Sequence, residues 1–213
     1  MSDEALQRPP RRGRPPRNPS ALEDTREQLV RAGIELLTGQ GFSSTGIDAI
    51  LSHVGVPKGS FYHYFENKQA FGHAVLRAYD AYFTRKLDRH LGADDTPALE
   101  RLRNFIHDGM DGMKRHDYTR GCLVGNLGQE VEALPKDYRE QLNEILVGWQ
   151  RRVADCLREA QAAGELQARI DADEAAEFFW IGWEGAILRA RLTQNLKPLE
   201  LFEDAFYRTL SRS

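Results

Sequence analysis

The segment that most constrains the fold is residues 56–68, which read VPKGSFYHYFENK. Pro57 suits the first turn of a helix, because its missing N–H would have no intrahelical partner there. Lys58, Gly59 and Ser60 add little side-chain bulk, and the free N–H groups of a helix start favour an anion such as phosphate. The aromatic and basic side chains that follow suit contacts with phosphates and base edges. A short amphipathic helix with a purely structural aromatic face is an equally good interpretation of this segment alone.

Two further helices are predicted before this segment. Apolar residues three and four positions apart predict a helix over 25–38, which ends at the glycines that follow it. Thr45 is expected to cap a short second helix over 46–53, and Gly55 lies where a tight turn needs a small residue or a positive φ. This order of helices is that of a helix-turn-helix unit, whose last helix enters the major groove of DNA.

Residues 25–71 resemble the DNA-binding domain of the TetR family of bacterial transcriptional regulators. The residues that carry the resemblance are Ala32, Leu36, Gly41, Phe42, Ile47, Ile50, Val54, Val56, Lys58, Gly59, Phe61, Tyr62, Tyr64, Phe65, Lys68 and Phe71. The family usually has Tyr-His where this chain has His63-Tyr64. The resemblance implies a homodimer that represses transcription from a palindromic, double-stranded operator. It also implies DNA contacts from Ser44, Thr45, Lys58, Gly59, Ser60, Tyr62, His63, Tyr64 and Lys68.

The first 20 residues are rich in Pro and Arg and are predicted to be a disordered basic arm. Arg12 and Arg14 lie in an Arg-Gly-Arg-Pro sequence that resembles the AT-hook, a motif of the A·T minor groove. A solubilising tail is the alternative. Residues 1–68 carry nine Lys and Arg against eight Asp and Glu (+1), and the remainder carries 20 against 24 (−4), giving the net charge of −3. The positive charge is therefore concentrated at the DNA end.

The rest of the chain predicts six more helices, over 67–90, 97–115, 121–133, 135–163, 171–194 and 198–210, with no strand pattern. We therefore expect an all-α protein with an arm (1–20), a helix-turn-helix domain (21–68) and an effector-binding and dimerisation domain (69–213). There is no apolar run near the ~20 residues of a membrane span and no signal segment, so we expect a cytoplasmic protein. Two cysteines make no disulfide framework, and neither a cofactor nor a metal site is indicated.

The effector site is predicted around Cys122. The segment 120–130 carries three glycines, each costing about 1 kcal/mol inside a helix, so a close approach by another group should offset that cost. Cys122 is predicted at a helix start beside Arg120, which would lower the pKa of its thiol; a small buried cysteine is the alternative. This segment resembles electrophile-sensing TetR regulators, including those that respond to acrylate. The predicted effector residues are Tyr118, Arg120, Cys122, Asn126, Trp180, Trp183 and Glu184.

The last two helices are predicted to form the dimer interface, as the family resemblance implies. Small and apolar residues that allow close helix approach are Gly182, Ala186, Phe202 and Phe206. The alternative function is that of a cysteine-dependent enzyme acting on a small electrophile. Such an enzyme would need a positioned base, and His107 and His116 are the candidates near Cys122 in sequence.

Overall fold

The computed structural model describes residues 19–92 and 95–211, with side chains described from residue 24 onward. These residues form helices and no strand, so the predicted all-α class is confirmed. The arginines Arg12 and Arg14 of the predicted arm lie outside the described residues. The helices are α1 (Pro19–Gln40), α2 (Ile47–Val54), α3 (Lys58–Tyr64), α4 (Lys68–Leu91), α5 (Ala98–Arg115), α6 (Leu123–Gln129), α7 (Lys136–Ala162), α8 (Ala172–Thr193) and α9 (Lys197–Ser211).

Helices α1 to α3 share one small core. Leu29, Ile50 and Phe61, one from each helix, are completely buried. Gly55 ends α2 with φ 74°, and its N–H donates to the carbonyl of Leu51 at 2.8 Å, as the turn was expected to require. The predicted capping role of Thr45 is wrong. Gly46 is the N-cap of α2, and the buried Thr45 hydroxyl instead donates to the carbonyl of Gly41 at 2.7 Å.

Helix α4 joins this unit to the rest of the chain. Its N-cap is Asn67, whose side chain accepts a hydrogen bond from the N–H of Ala70 at 2.8 Å. Its first turns pack on α1 so closely that a Cβ added at Gly33 would lie 2.6 Å from the ring of Phe71. Tyr82 of the same helix is 54% exposed.

The second half of the chain is a bundle of α4, α5, α7, α8 and α9 around aromatic side chains. Trp149 of α7 is fully buried, and its indole N–H donates to Asp80 of α4 at 2.9 Å. Asp171 caps α8 by accepting two backbone N–H groups. The predicted helix over 121–133 is shorter, because α6 starts after Cys122 and is followed by the 3₁₀ turn Val131–Ala133. None of the described helices is long and apolar enough to cross a membrane.

Candidate functional site

Helix α3 presents a polar surface to solvent. Lys58, Gly59, Tyr62 and His63 are exposed on it, while Phe61 anchors it in the core. The ammonium group of Lys58 pairs with Asp48 of α2 at 3.0 Å, and this hydrogen bond raises the pKa of Lys58. A Cβ added at Gly59 would meet no atom within 4 Å, so packing inside the protein does not require a glycine there.

The other residues predicted to face DNA differ in exposure. Ser44 is exposed, and Ser60 and Tyr64 are half-buried, with Tyr64 packed against the core. Thr45 is completely buried, so its side chain is not available to DNA in this conformation. Lys68 is partly buried: its ammonium group donates to the carbonyl of Phe42 at 2.7 Å.

A cavity of about 530 Å³ lies between α1, α4, α5 and α8, and residues 120–122 form part of its wall. Six apolar side chains line it: Ile34, Phe83, Phe105, Met113, Trp183 and Ile187. Cations also line it, namely Arg31, Lys86, Arg89, Arg115 and Arg120, together with the acids Glu35 and Asp108. Lys86 pairs with Asp108 at 2.7 Å, and Arg120 lies 3.8 Å from Glu35. An apolar wall with an excess of cations suits an anion that has an apolar body.

Cys122 lies in the cavity wall and is buried. Its thiol interacts with the hydroxyl of Tyr79 and the carboxyl of Glu184. Burial raises the pKa of the Cys122 thiol well above its ordinary value, and the charge of Glu184 adds to the rise. The predicted lowering of this pKa is therefore wrong, because desolvation outweighs the nearby cation and helix start.

Glu184 is the buried carboxyl of this cluster. Burial raises the pKa of Glu184 to about 7. Its Oε1 atom has no hydrogen-bond partner within the part of the chain that the structure describes. Gly125 makes room for this carboxyl, because a Cβ at residue 125 would lie 2.0 Å from the other oxygen, Oε2. This contact supplies the close approach that was expected to offset a glycine in α6. At Gly128 a Cβ would meet nothing within 4 Å, so packing does not explain that glycine.

Two family models match the chain. Residues 29–75 match the model described as bacterial regulatory proteins, tetR family, and residues 98–206 match the tetracyclin repressor-like C-terminal domain. The chain is 54% identical over 199 residues to the transcriptional regulator AcuR of Cereibacter sphaeroides, covering 93% of this chain and 90% of AcuR. It is 32% identical to the HTH-type transcriptional repressor DhaR of Mycobacterium sp. strain GP1, covering 89% and 94%.

The chain belongs to the TetR family. Solved structures agree with this assignment. The regulatory protein TetR from Rhodobacter sphaeroides superposes with a TM-score of 0.83 at 55% identity, covering 85% of this chain and 96% of that one. The reduced form of E. coli NemR gives 0.80 at 29% identity, covering 86% and 95%. The chain is thus a TetR-family transcriptional regulator, and the interpretation as a cysteine-dependent enzyme is wrong. His107 is an exposed partner of Glu203 on α9, away from the thiol.

The structure brings only part of the predicted effector set of this TetR-family chain into the cavity. Arg120, Cys122 and Trp183 line it, and Glu184 lies behind Cys122. Trp180 is core, against Trp149 and Phe83. Tyr118 packs on the core in the turn after α5 with φ 56°, and the amide of Asn126 binds the end of α1. Cavity residues that the sequence analysis did not name include Arg31, Tyr79, Lys86 and Asp108.

The four residues predicted for the dimer interface pack mainly within the chain. Phe206 is fully buried, Ala186 is nearly so, and the ring of Phe202 lies against Gly182 so closely that a Cβ there would be 2.5 Å away. The apolar side chains that α8 and α9 leave exposed are different ones: Phe178, Ile181, Leu188, Leu192 and Leu201. The residues chosen from sequence spacing therefore lie mainly on the inner faces of α8 and α9.

Proposed function

We propose that this regulator represses transcription as a homodimer on a palindromic operator and leaves it when a small unsaturated acid or electrophile, such as acrylate, binds in the cavity beside Cys122. The observation that carries the proposal is the cavity itself, which joins an apolar wall to an excess of cations. The sequence resemblance to TetR regulators that sense electrophiles and unsaturated acids supports the class of effector. A regulator of operator DNA acts in the cytoplasm, which we propose as its location.

The exposed face of α3 is the proposed operator-reading surface. Lys58, Tyr62 and His63 project from it without being needed by the core. Gly59 is consistent with close approach of the DNA backbone, since no atom that the structure describes lies within 4 Å of a Cβ built there. Arg12 and Arg14 of the arm remain proposed minor-groove contacts. The domain limits at residues 20 and 68 belong to the same proposal.

The exposed apolar stripe of α8 is the proposed dimer surface. Phe178, Ile181, Leu188 and Leu192 recur at helical spacing along it, and Leu201 of α9 is a further exposed apolar side chain. Covering this stripe with the same stripe of a second copy would make a two-fold interface. Two recognition helices would then meet successive major grooves, roughly 34–36 Å apart.

Cys122 is proposed to bind the effector reversibly, as a neutral thiol. The thiolate is the form that attacks electrophiles, and the raised pKa of Cys122 keeps its population small. The cations of the cavity supply the attraction for a carboxylate instead. The effector releases DNA only if it binds the DNA-incompetent conformation better than the competent one.

The test is a titration of the protein bound to a labelled promoter fragment with sodium acrylate. We expect acrylate to release wild-type protein, and Cys122→Ser to bind DNA normally and to respond within about fivefold of the wild-type concentration. Intact-protein mass spectrometry should find no adduct on wild-type protein after acrylate treatment. An adduct on Cys122 together with an unresponsive serine variant would instead establish covalent sensing.

A further inference from the structure

The end of α1 is bound by polar groups from the second half of the chain. The last carbonyls of a helix have no intrahelical partners. The carbonyl of Thr38 accepts from the side-chain amide of Asn126 at 2.8 Å and from the N–H of Gly121 at 3.1 Å. The carbonyl of Gly39 accepts from the guanidinium of Arg191 on α8 at 3.0 Å. The C-terminus of α1 is therefore tied to α6, to the segment before it and to α8.

Arg191 also fixes the amide that binds Thr38. Its other terminal nitrogen donates to the side-chain oxygen of Asn126 at 2.9 Å, which leaves the amide nitrogen directed at α1. The stem of Arg191 packs on Gly121, where a Cβ would lie 3.0 Å from Cδ. One guanidinium thus spans a carbonyl of α1 and a side chain of α6, a geometry that suits the planar fork of arginine.

Glu130 makes the second attachment, on the turn between α1 and α2. Its two carboxylate oxygens accept the N–H groups of Phe42 at 2.9 Å and Ser43 at 2.7 Å. Gly41 has φ 84°, and a Cβ there would lie 2.1 Å from Glu130, so conformation and space both require glycine. Lys68 donates to the carbonyl of Phe42, and its charge is attracted to Glu130.

We propose that Asn126, Glu130 and Arg191 form an interdomain clamp that holds the helix-turn-helix unit in its operator-binding orientation. Helix α4 connects the two halves and packs on α1. The clamp adds attachments at the C-terminal end of α1 and on the turn that follows it. These three are positioning residues, since they act on DNA through α1 and α2.

The clamp also adjoins the cavity. Arg120, Gly121 and Cys122 line the cavity, and the N–H of Gly121 is one of the two donors to Thr38. Thr38 itself lines the cavity. A ligand that displaces residues 120–122 therefore changes the contacts of α1 directly. This link to the effector rests on the proposed function, whereas the holding role of the clamp does not.

The clearest test compares Glu130→Gln with Glu132→Gln in the full-length protein. A glutamine at residue 130 keeps the size of the side chain. Its amide NH₂ group replaces one of the two acceptor oxygens and would face a backbone N–H group, from which it cannot accept a hydrogen bond. Glu132 lies two residues further on and pairs with Arg139 at the surface, 2.7 Å away, so its variant has the same charge change without the clamp. Hydrogen–deuterium exchange without DNA and affinity for the labelled promoter fragment are measured for each.

We expect Glu130→Gln to speed exchange of the Phe42 and Ser43 amides and of peptides over α2 and α3, and to weaken promoter affinity about tenfold, as for loss of a charged hydrogen bond. Arg191→Lys should act in the same direction, and Glu132→Gln should match wild type. Faster exchange confined to the two amides, with unchanged promoter affinity in both clamp variants, would overturn the proposal. Circular dichroism melts check that the variants are folded.

The same measurements with acrylate then test the clamp and the proposed effector separately. If acrylate releases wild-type protein, the ratio of promoter affinities without and with acrylate should fall towards one in Glu130→Gln. An unchanged ratio would show that the clamp takes no part in the release of DNA by acrylate. If acrylate leaves wild-type protein on DNA, the proposed effector is wrong, while the exchange and affinity measurements still decide the holding role.

Discussion

The α3 surface and the cavity carry the same kinds of side chain in opposite settings. On α3 the polar groups are exposed, and Lys58 is paired with the exposed Asp48. In the cavity Lys86 and Asp108 form a partly buried pair, Cys122 is part of the wall, and Glu184 lies behind Cys122. Exposed charges are screened by salt, whereas buried ones respond mainly to proton uptake. DNA binding should therefore depend on salt, and the region around the cavity should depend on pH.

The largest expected effect is on the free energy of unfolding and is measured by comparing two glycines of α6. Gly125→Ala places a Cβ 2.0 Å from the Glu184 carboxyl and should destabilise the protein by about 1–3 kcal/mol, the usual range for overpacking. Gly128→Ala is the matched control, since it meets no atom and should gain up to about 1 kcal/mol of helix propensity. Urea denaturation of the two variants measures the difference. Equal stabilities would show that α6 shifts freely to accommodate the methyl group.

The next effect is the pH dependence that Glu184 confers. Its pKa rises from 4.5 to about 7 in the folded protein, so the folded state holds a proton that the unfolded state releases. The contribution of the protonated Glu184 carboxyl to stability is fully present below pH 4.5 and is lost as the pH rises to about 7. Glu184→Gln removes this loss. The free energy of unfolding of the variant should exceed that of wild type by up to about 3 kcal/mol at pH 8 but not at pH 4.5. Stability curves that stay parallel across this range would contradict the raised pKa.

A smaller effect is expected at the DNA surface. Lys58→Ala should weaken promoter binding about tenfold and reduce the slope of log affinity against log salt by up to ~0.9. Lys114→Ala, an exposed lysine at the end of α5, has the same charge change away from α3 and should keep the wild-type affinity and slope. If both lysines behave alike, general charge and not α3 governs binding.

The features that sequence predicted well are those that a short segment determines alone. The recognition helix, the turn at Gly55 and the starts of α4 and α8 depend on neighbours along the chain, and each is found where it was predicted or within a residue. Thr45 is an exception. Its sequence fits a cap, but its hydroxyl donates to the carbonyl of Gly41, four residues before it.

The cavity was predicted in outline only, because four helices and the segment before α6 assemble it. Cys122 and Trp183 were found through local signals, a glycine-rich segment and a tryptophan pair. Arg31 and Lys86 lie on ordinary charged faces of their helices, so nothing local marks them. The pKa of Cys122 was predicted in the wrong direction, since burial depends on α4 and α8, which lie far away in sequence.

Occupancy of the cavity is proposed to control release from DNA. Gly112 lines the cavity, and a Cβ there would meet no described atom within 4 Å, so Gly112→Leu should occupy part of the cavity. Gly148→Leu is the matched control, a helical glycine with similar free space that lines a separate groove between α4 and α7.

The decisive measurement is the acrylate concentration that half-releases each protein from the labelled promoter fragment. We expect Gly112→Leu to bind the fragment like wild type and to need at least about tenfold more acrylate, while Gly148→Leu matches wild type. Release of Gly112→Leu at the wild-type concentration would contradict the account, because it would place the acting effector outside this cavity.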